Sequence, residues 1–155
     1  MQNTVKDMQL IILYGSSTGN TARIAAYIAD VFQTAGIEIE VRPVLAFEPE
    51  ELAPYDAAFL GSSTWGNGTL QDAMKLFYFK IDNASVASKK VAIFGAGDSK
   101  AYPRSFCKAV DLLQSKLKSC GAEIILPPLK VDGDAAASKA AIIEWAETAV
   151  SAISK

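Results

Sequence analysis

Five short apolar runs, at 9–14, 37–43, 56–62, 90–95 and 123–131, are dense in Val, Ile, Leu and Phe and too short for helices, so each predicts a β-strand. Helix-like segments at 21–35, 70–81, 103–119 and 136–153 fall between and after them. Their apolar residues recur every three or four positions: Ile24, Ile28, Val31 and Phe32 in the first, Val110, Leu113 and Leu117 in the third, Ile142, Trp145, Ala149 and Val150 in the last. That is the period of an amphipathic helix. A shorter turn is expected at 48–52. Gly36 and Gly121 stand where a left-handed residue closes a helix, and Pro103 suits a first helical turn. Continuously apolar strands alternating with helices predict a parallel sheet covered on both faces, a doubly wound α/β sandwich. No repeat or linker divides the 155 residues, so one domain over 1–155 is expected, with 1–8 a loose leader and 135–137 a soft loop end.

Sheets of this kind bind ligands beyond the carboxyl ends of their strands, near the point where strand order reverses. At the first such junction stand Ser16, Ser17, Thr18, Gly19, Asn20 and Thr21, six small residues without a charge. Backbone N–H groups and the positive end of the following helix converge there, and hydroxyls add neutral donors, so the loop reads as an anion seat. A nucleotide-triphosphate loop would carry a lysine before its Ser/Thr, and this one has none. A single terminal monophosphate fits better. Such residues also form plain turns and helix caps, and two further loops argue against that reading here. The third strand runs into a loop holding Trp65 among small residues, and the fourth into a glycine-marked loop holding Tyr102. Two aromatics facing one gap can grip a planar heterocycle, each ring pair contributing about 0.5–1.5 kcal/mol beyond area burial.

Composition narrows the field. Fifteen basic and 17 acidic residues give a net charge of −2 without a basic stripe, which disfavours nucleic acid as a partner. No signal peptide or membrane-length apolar run is present, so a cytoplasmic protein is expected. The chain has no histidine, which removes serine-triad, Cys-His and zinc-finger chemistry together. Cys107 and Cys120 then read as small buried hydrophobes, with no metal site expected and a disulfide disfavoured in a reducing compartment.

The motifs SSTGNT (16–21), GSSTWG (61–66), FGAGDS (94–99), FCKAVD (106–111), LKSCGAEI (117–124) and VDGD (131–134) follow one another in an order that resembles the flavodoxins, specifically the short-chain type best represented in sulfate-reducing bacteria. The resemblance runs from Gln9 onward. It implies a three-layer sandwich around a five-stranded parallel sheet of order 2-1-3-4-5, and a non-covalent flavin mononucleotide (FMN) as cofactor. Ser16, Ser17, Thr18, Gly19, Asn20 and Thr21 would hold the phosphate, and Ser63 and Thr64 would border the ribityl chain. Trp65 and Tyr102, or Phe106 in place of Tyr102, would sandwich the ring. Ala96, Gly97 and Asp98, with the Cys107 backbone, would meet its pyrimidine edge. Gly66, followed by Asn67, would supply a carbonyl that turns toward flavin N5 and stabilises the neutral semiquinone. The implied function is a low-potential one-electron carrier, a monomer shuttling between semiquinone and hydroquinone and making transient contacts with donor and acceptor redox proteins.

This chain departs from the family pattern in two loops. Asn67 and Gly68 stand where acids are usual, and the loop after Asp98 is longer and carries Lys100 and Arg104. These cations are expected to make the second one-electron couple less negative, by about 20 mV per charge at roughly 10 Å in water-like dielectric. Two other functions compete. An FMN-dependent quinone or nitro reductase would need one open flavin face, and a signalling receiver would need paired acids after the first strand, where Tyr14, Gly15 and Ser16 stand.

Overall fold

The computed structural model describes residues 5–154, and its first strand shows how the sheet divides the molecule. Along β1 (Leu10–Gly15), Leu10 and Ile12 enter one core while Ile11 and Leu13 enter the other, because successive side chains leave a strand on opposite faces. β3 (Ala57–Trp65) and β5 (Lys90–Gly97) repeat the division, with Phe59 and Phe94 on the first face and Leu60 and Ile93 on the second. Helices α1 (Asn20–Thr34) and α5 (Lys139–Ile153) cover the first face through Ile24, Ile28, Phe32, Ile142 and Ala149. Helices α2 (Asp72–Lys80) and α4 (Lys108–Ser119) cover the second through Met74, Phe77, Val110, Leu113 and Leu117. The three layers expected from the sequence are therefore present. Each fully buried Leu, Ile or Phe contributes about 1.5–3 kcal/mol, so the two cores dominate the stability.

β2 (Glu40–Pro43) pairs in parallel with β1, β1 with β3, and β3 with β5. At the far edge β6 (Glu123–Ile124) and β7 (Leu129–Asp132) both pair with β5, and β4 (Thr69–Leu70) folds back antiparallel on β3. The order is thus that of the 2-1-3-4-5 sheet, with two corrections to the expected five strands. The run 123–131 is one edge strand broken by Pro127 and Pro128, which have no N–H to give the ladder. The Trp145 indole N–H caps that break by donating to the Pro127 carbonyl at 2.8 Å. The second correction is β4, a two-residue ladder that turns the chain back toward α2.

Element ends moved for local reasons. β2 starts at Glu40, although Ile37 and Ile39 are buried ahead of it. α2 starts at Asp72 because the Gln71 side chain caps it, accepting from the Met74 N–H at 3.1 Å. α4 begins at Lys108, five residues after Pro103, because Cys107 takes a left-handed conformation (φ 52°) that no helix can run through. The turn at 48–52 is a 3-10 helix, Pro49–Leu52, closed by a reciprocal Glu48–Glu51 box, and 135–137 lies in another, Ala135–Ser138, with Ala135 buried. The short α3 (Asn83–Val86), capped by Asp82 and Ser85, is a single turn too brief to show a periodic pattern. Of the expected leader, residues 1–4 lie outside the described part. Val5–Asp7 is a 3-10 turn, with Val5 and Met8 against the core.

Candidate functional site

β1 hands over to α1 through residues 16–21, and the turn is built to leave its donors open. Gly19 is the residue before the helix and takes φ 94°, a conformation side chains resist; no atom lies within 4 Å of where its Cβ would stand. Its N–H donates to Ser16 Oγ at 3.0 Å. The N–H groups of Ser17, Thr18, Asn20 and Thr21 take no protein acceptor among the described residues. They head a 15-residue helix whose dipole makes the same point positive. The nearest cation along the chain, Arg23, is held by Asp134 at 3.4 Å in an exposed pair of small energetic value. The seat attracts an anion through backbone and hydroxyl groups alone.

Two residues of the seat serve differently from the sequence expectation. The Asn20 carboxamide points away from the open N–H groups: its Nδ2 donates to the Gly133 carbonyl at 2.8 Å and its Oδ1 accepts from the Ala135 N–H at 2.8 Å. Asn20 thus rivets the seat to the loop after β7, and only its backbone N–H remains free for a ligand. The hydroxyls of Thr21, which is fully buried, and Ser63 share a hydrogen bond at 2.8 Å, tying the seat to the end of β3. A third brace, Gln71, was missed. This buried residue donates from Nε2 to Ser17 Oγ at 3.1 Å, and its backbone N–H donates to Ser62 Oγ at 3.2 Å. Gly15 leaves the room: a Cβ there would overlap Gln71 Oε1. Nothing near Gln71 in sequence marks it as more than a helix cap, because its partners lie nine and 54 positions away.

The end of β3 and the segment after β5 each carry one exposed aromatic. Trp65 is 48% and Tyr102 42% exposed, large aromatic surfaces left open at the carboxyl edge of the sheet. Phe106 instead packs against the second core and leans on Gly97, where a Cβ would come within 3.2 Å of its ring. Three contacts hold the two loops together. The Ser105 hydroxyl donates to the Gly66 carbonyl at 3.3 Å, the Ala109 N–H to Thr64 Oγ1 at 3.0 Å, and the Lys108 stem lies on Gly68. Asn67 is exposed in the turn between β3 and β4. The Asp98 carboxylate shapes its own loop, accepting from the N–H groups of Lys100 and Ala101 at 3.1 and 3.0 Å. Ser99 fastens that loop to Asp132, whose carboxyl it holds below the usual range by donating its hydroxyl and N–H. Ala96 faces the first core, so only its backbone lies along this edge. Gly97 brings two backbones together, since a Cβ there would sit 2.8 Å from the Cys107 nitrogen.

Both cysteines are free and buried, as expected from the sequence. Burial pushes the Cys107 thiol up from an ordinary 9.0 to about 12, with the nearby Lys130 charge opposing. Below pH 9.0 folded and unfolded chains both keep this proton. Above it only the unfolded chain releases it, so stability falls by about 1.4 kcal/mol per pH unit until the folded thiol titrates. Urea unfolding at pH 8 and pH 10 should show this loss in the native sequence and not in Cys107→Ala. An equal loss in both would assign it to other groups.

Among the described residues no cluster of metal-ligating side chains occurs and no helix is long and apolar enough to cross a membrane. Comparison with known proteins agrees with the geometry. The flavodoxin family profile matches residues 12–145. A flavodoxin from Maridesulfovibrio salexigens is 40% identical over 139 residues, covering 87% of this chain and 92% of that protein. The crystal structure of oxidised flavodoxin 1 from Bacillus cereus superposes with a TM-score of 0.79 at 35% identity, over 90% of this chain and 95% of that one. At 16% identity, a flavodoxin from Fusobacterium nucleatum solved with flavin mononucleotide bound has the same fold, with a TM-score of 0.77 over 92% of this chain and 96% of its own. With the open helix head, two exposed aromatics and the sheet order found in one molecule, and a profile match across most of its length, the chain belongs to the flavodoxin family.

Proposed function

We propose that this protein is a one-electron carrier that holds FMN non-covalently at the carboxyl edge of its sheet. The observation that carries the reading is the seat at residues 16–21: open N–H groups on a helix head with no side-chain cation, suited to one phosphate and too weakly charged for a triphosphate. Bound there, the flavin supplies the capacity to take up and release electrons singly. The chain's own residues bind and orient it. Ser16, Ser17, Thr18, Gly19 and the backbone of Asn20 and Thr21 take the phosphate, Ser63 and Thr64 border the ribityl chain, and Trp65 covers one ring face. Tyr102 covers the other, a choice over Phe106 supported by the exposure of Tyr102 and the inward packing of Phe106. The backbones of Ala96, Gly97, Asp98 and Cys107 border the pyrimidine edge, and Gly66 and Asn67 the turn beside Trp65.

Two covered faces leave no place for a hydride donor to stack, and without histidine the chain has few groups for proton transfer, so electrons pass through the exposed ring edge to donor and acceptor redox proteins. The carrier is expected to work as a monomer in the cytoplasm. Stepwise anaerobic dithionite titration of the purified protein tests this reading. The expected result is a yellow protein whose spectrum passes through an intermediate form before full reduction. A colourless product that fails to quench added FMN fluorescence overturns it, and sustained NADPH oxidation by the protein alone would favour a reductase.

A further inference from the structure

The loops of the aromatic gap carry charge of the opposite sign to the molecule. The chain as a whole is −2, yet 16–21 and 65–71 hold no charged residue, and 98–108 holds Lys100, Arg104 and Lys108 against the single carboxylate of Asp98. All three cations are exposed, and none joins an ion pair among the described residues. Their positions are set by the fold. Lys100 and Arg104 flank Tyr102 by two residues on either side, and the Lys108 stem reaches Gly68 in the turn after Trp65, so the cations line one loop and lean on the other. The nearby carboxylates are partly spent. Asp98 accepts two backbone N–H groups of its own loop, and Asp132, which feels the Lys100 charge, is clamped by Ser99. Asp111, further along α4, is bound to Lys130 at 2.9 Å.

We infer that Lys100, Arg104 and Lys108 form a basic docking rim around the electron-exit edge, and that the protein's redox partners present a carboxylate-rich face there. The inference rests on the flavin reading above and goes beyond it. Solvent screening makes the sign testable: the Debye length is about 10 Å at 0.1 M salt, so an incoming reagent feels the rim and little of the remaining surface. A net-negative protein would otherwise repel acidic partners.

The test uses the FMN-loaded protein, reduced anaerobically and mixed in stopped flow with one of two one-electron oxidants, ferricyanide (an anion) or hexaammineruthenium(III) (a cation). Each takes one electron from the reduced protein. Between about 0.1 and 0.5 M salt, the ferricyanide rate is expected to fall roughly two- to fivefold, and the hexaammineruthenium rate to stay level or rise. Poly-L-glutamate at 0.1 M salt should slow the ferricyanide reaction by occupying the rim, and poly-L-lysine should not. In the double variant Lys100→Glu/Arg104→Glu the two salt trends exchange; the milder Lys100→Gln/Arg104→Gln pair should flatten them. A ferricyanide rate that climbs with salt in the native protein, or trends unchanged in both variants, overturns the rim. Flavin absorbance before mixing separates this failure from failure of the flavin reading, which would leave no reduced protein to oxidise.

Discussion

Replacing Thr18 with aspartate is expected to weaken FMN binding by roughly 30- to 1,000-fold while leaving riboflavin binding unchanged. Thr18 is exposed within the seat, and its side chain holds no other part of the protein, so the new carboxylate adds charge without removing a contact. Set against a phosphate dianion a few ångströms away near the surface, one negative charge costs about 2–4 kcal/mol, which converts to that range of affinity. Riboflavin has the same ring and no phosphate, so it reports on the aromatic gap alone. The variant also separates binding from folding. A carboxylate at a helix head interacts favourably with the dipole, so the flavin-free protein should unfold at the same or slightly higher urea concentration. Fluorescence quenching by both flavins, with urea melts of the flavin-free forms, gives every quantity. Equal losses for FMN and riboflavin would mean that the phosphate is held elsewhere.

Gly95→Ala is the substitution expected to harm the fold most, by about 3 kcal/mol. Gly95 pairs with Ser62 at the centre of the sheet, and a Cβ there would overlap the Ser62 carbonyl oxygen and meet Val110 of α4 at 2.5 Å. Overpacking a core ordinarily costs about 1–3 kcal/mol, and the upper end applies because the obstacle is backbone, which cannot rotate aside. For a chain of this size that is about 6–12 °C in melting temperature. β3 must shift to make room, and it carries Ser63, Thr64 and Trp65, so flavin affinity should fall as well. Gly133→Ala is the control. That position has open space around its Cβ and φ 77°, so only backbone strain of about 1–2 kcal/mol applies. A loss below 1 kcal/mol for Gly95→Ala, or equal losses at both sites, would contradict the packing argument.

These two experiments probe layers of the protein that differ in how openly the sequence displays them. Thr18 lies in a stretch legible on its own, because an anion seat needs consecutive small residues at a helix head, and consecutive residues are what a sequence shows. The alternating strands and helices were legible for the same reason: a strand or helix that must bury one side carries its period in a few neighbouring residues. The family motifs were likewise short local strings. Gly95 is different. Its neighbours Ser62 and Val110 come from β3 and α4, and nothing within the strand announces them.

By itself, then, the chain determined its alternating layers and the loops that gather at one edge, because those follow from local periodicity, turn chemistry and the handedness of crossovers, while its sheet order was legible only through the resemblance of its motifs to a family. Tertiary structure decided which groups in those loops remain open. It turned the Asn20 carboxamide to Gly133 and Ala135, more than a hundred residues away, set Gln71 against Ser17, and held back the start of α4 to Lys108 behind a left-handed Cys107. It also drew Phe106 inward while Tyr102 stayed exposed. The physical reason is common to all of these: a polar side chain takes the partner that packing brings within about 3 Å, and an aromatic ring takes the cavity left by its neighbours, and both are fixed only when distant segments dock.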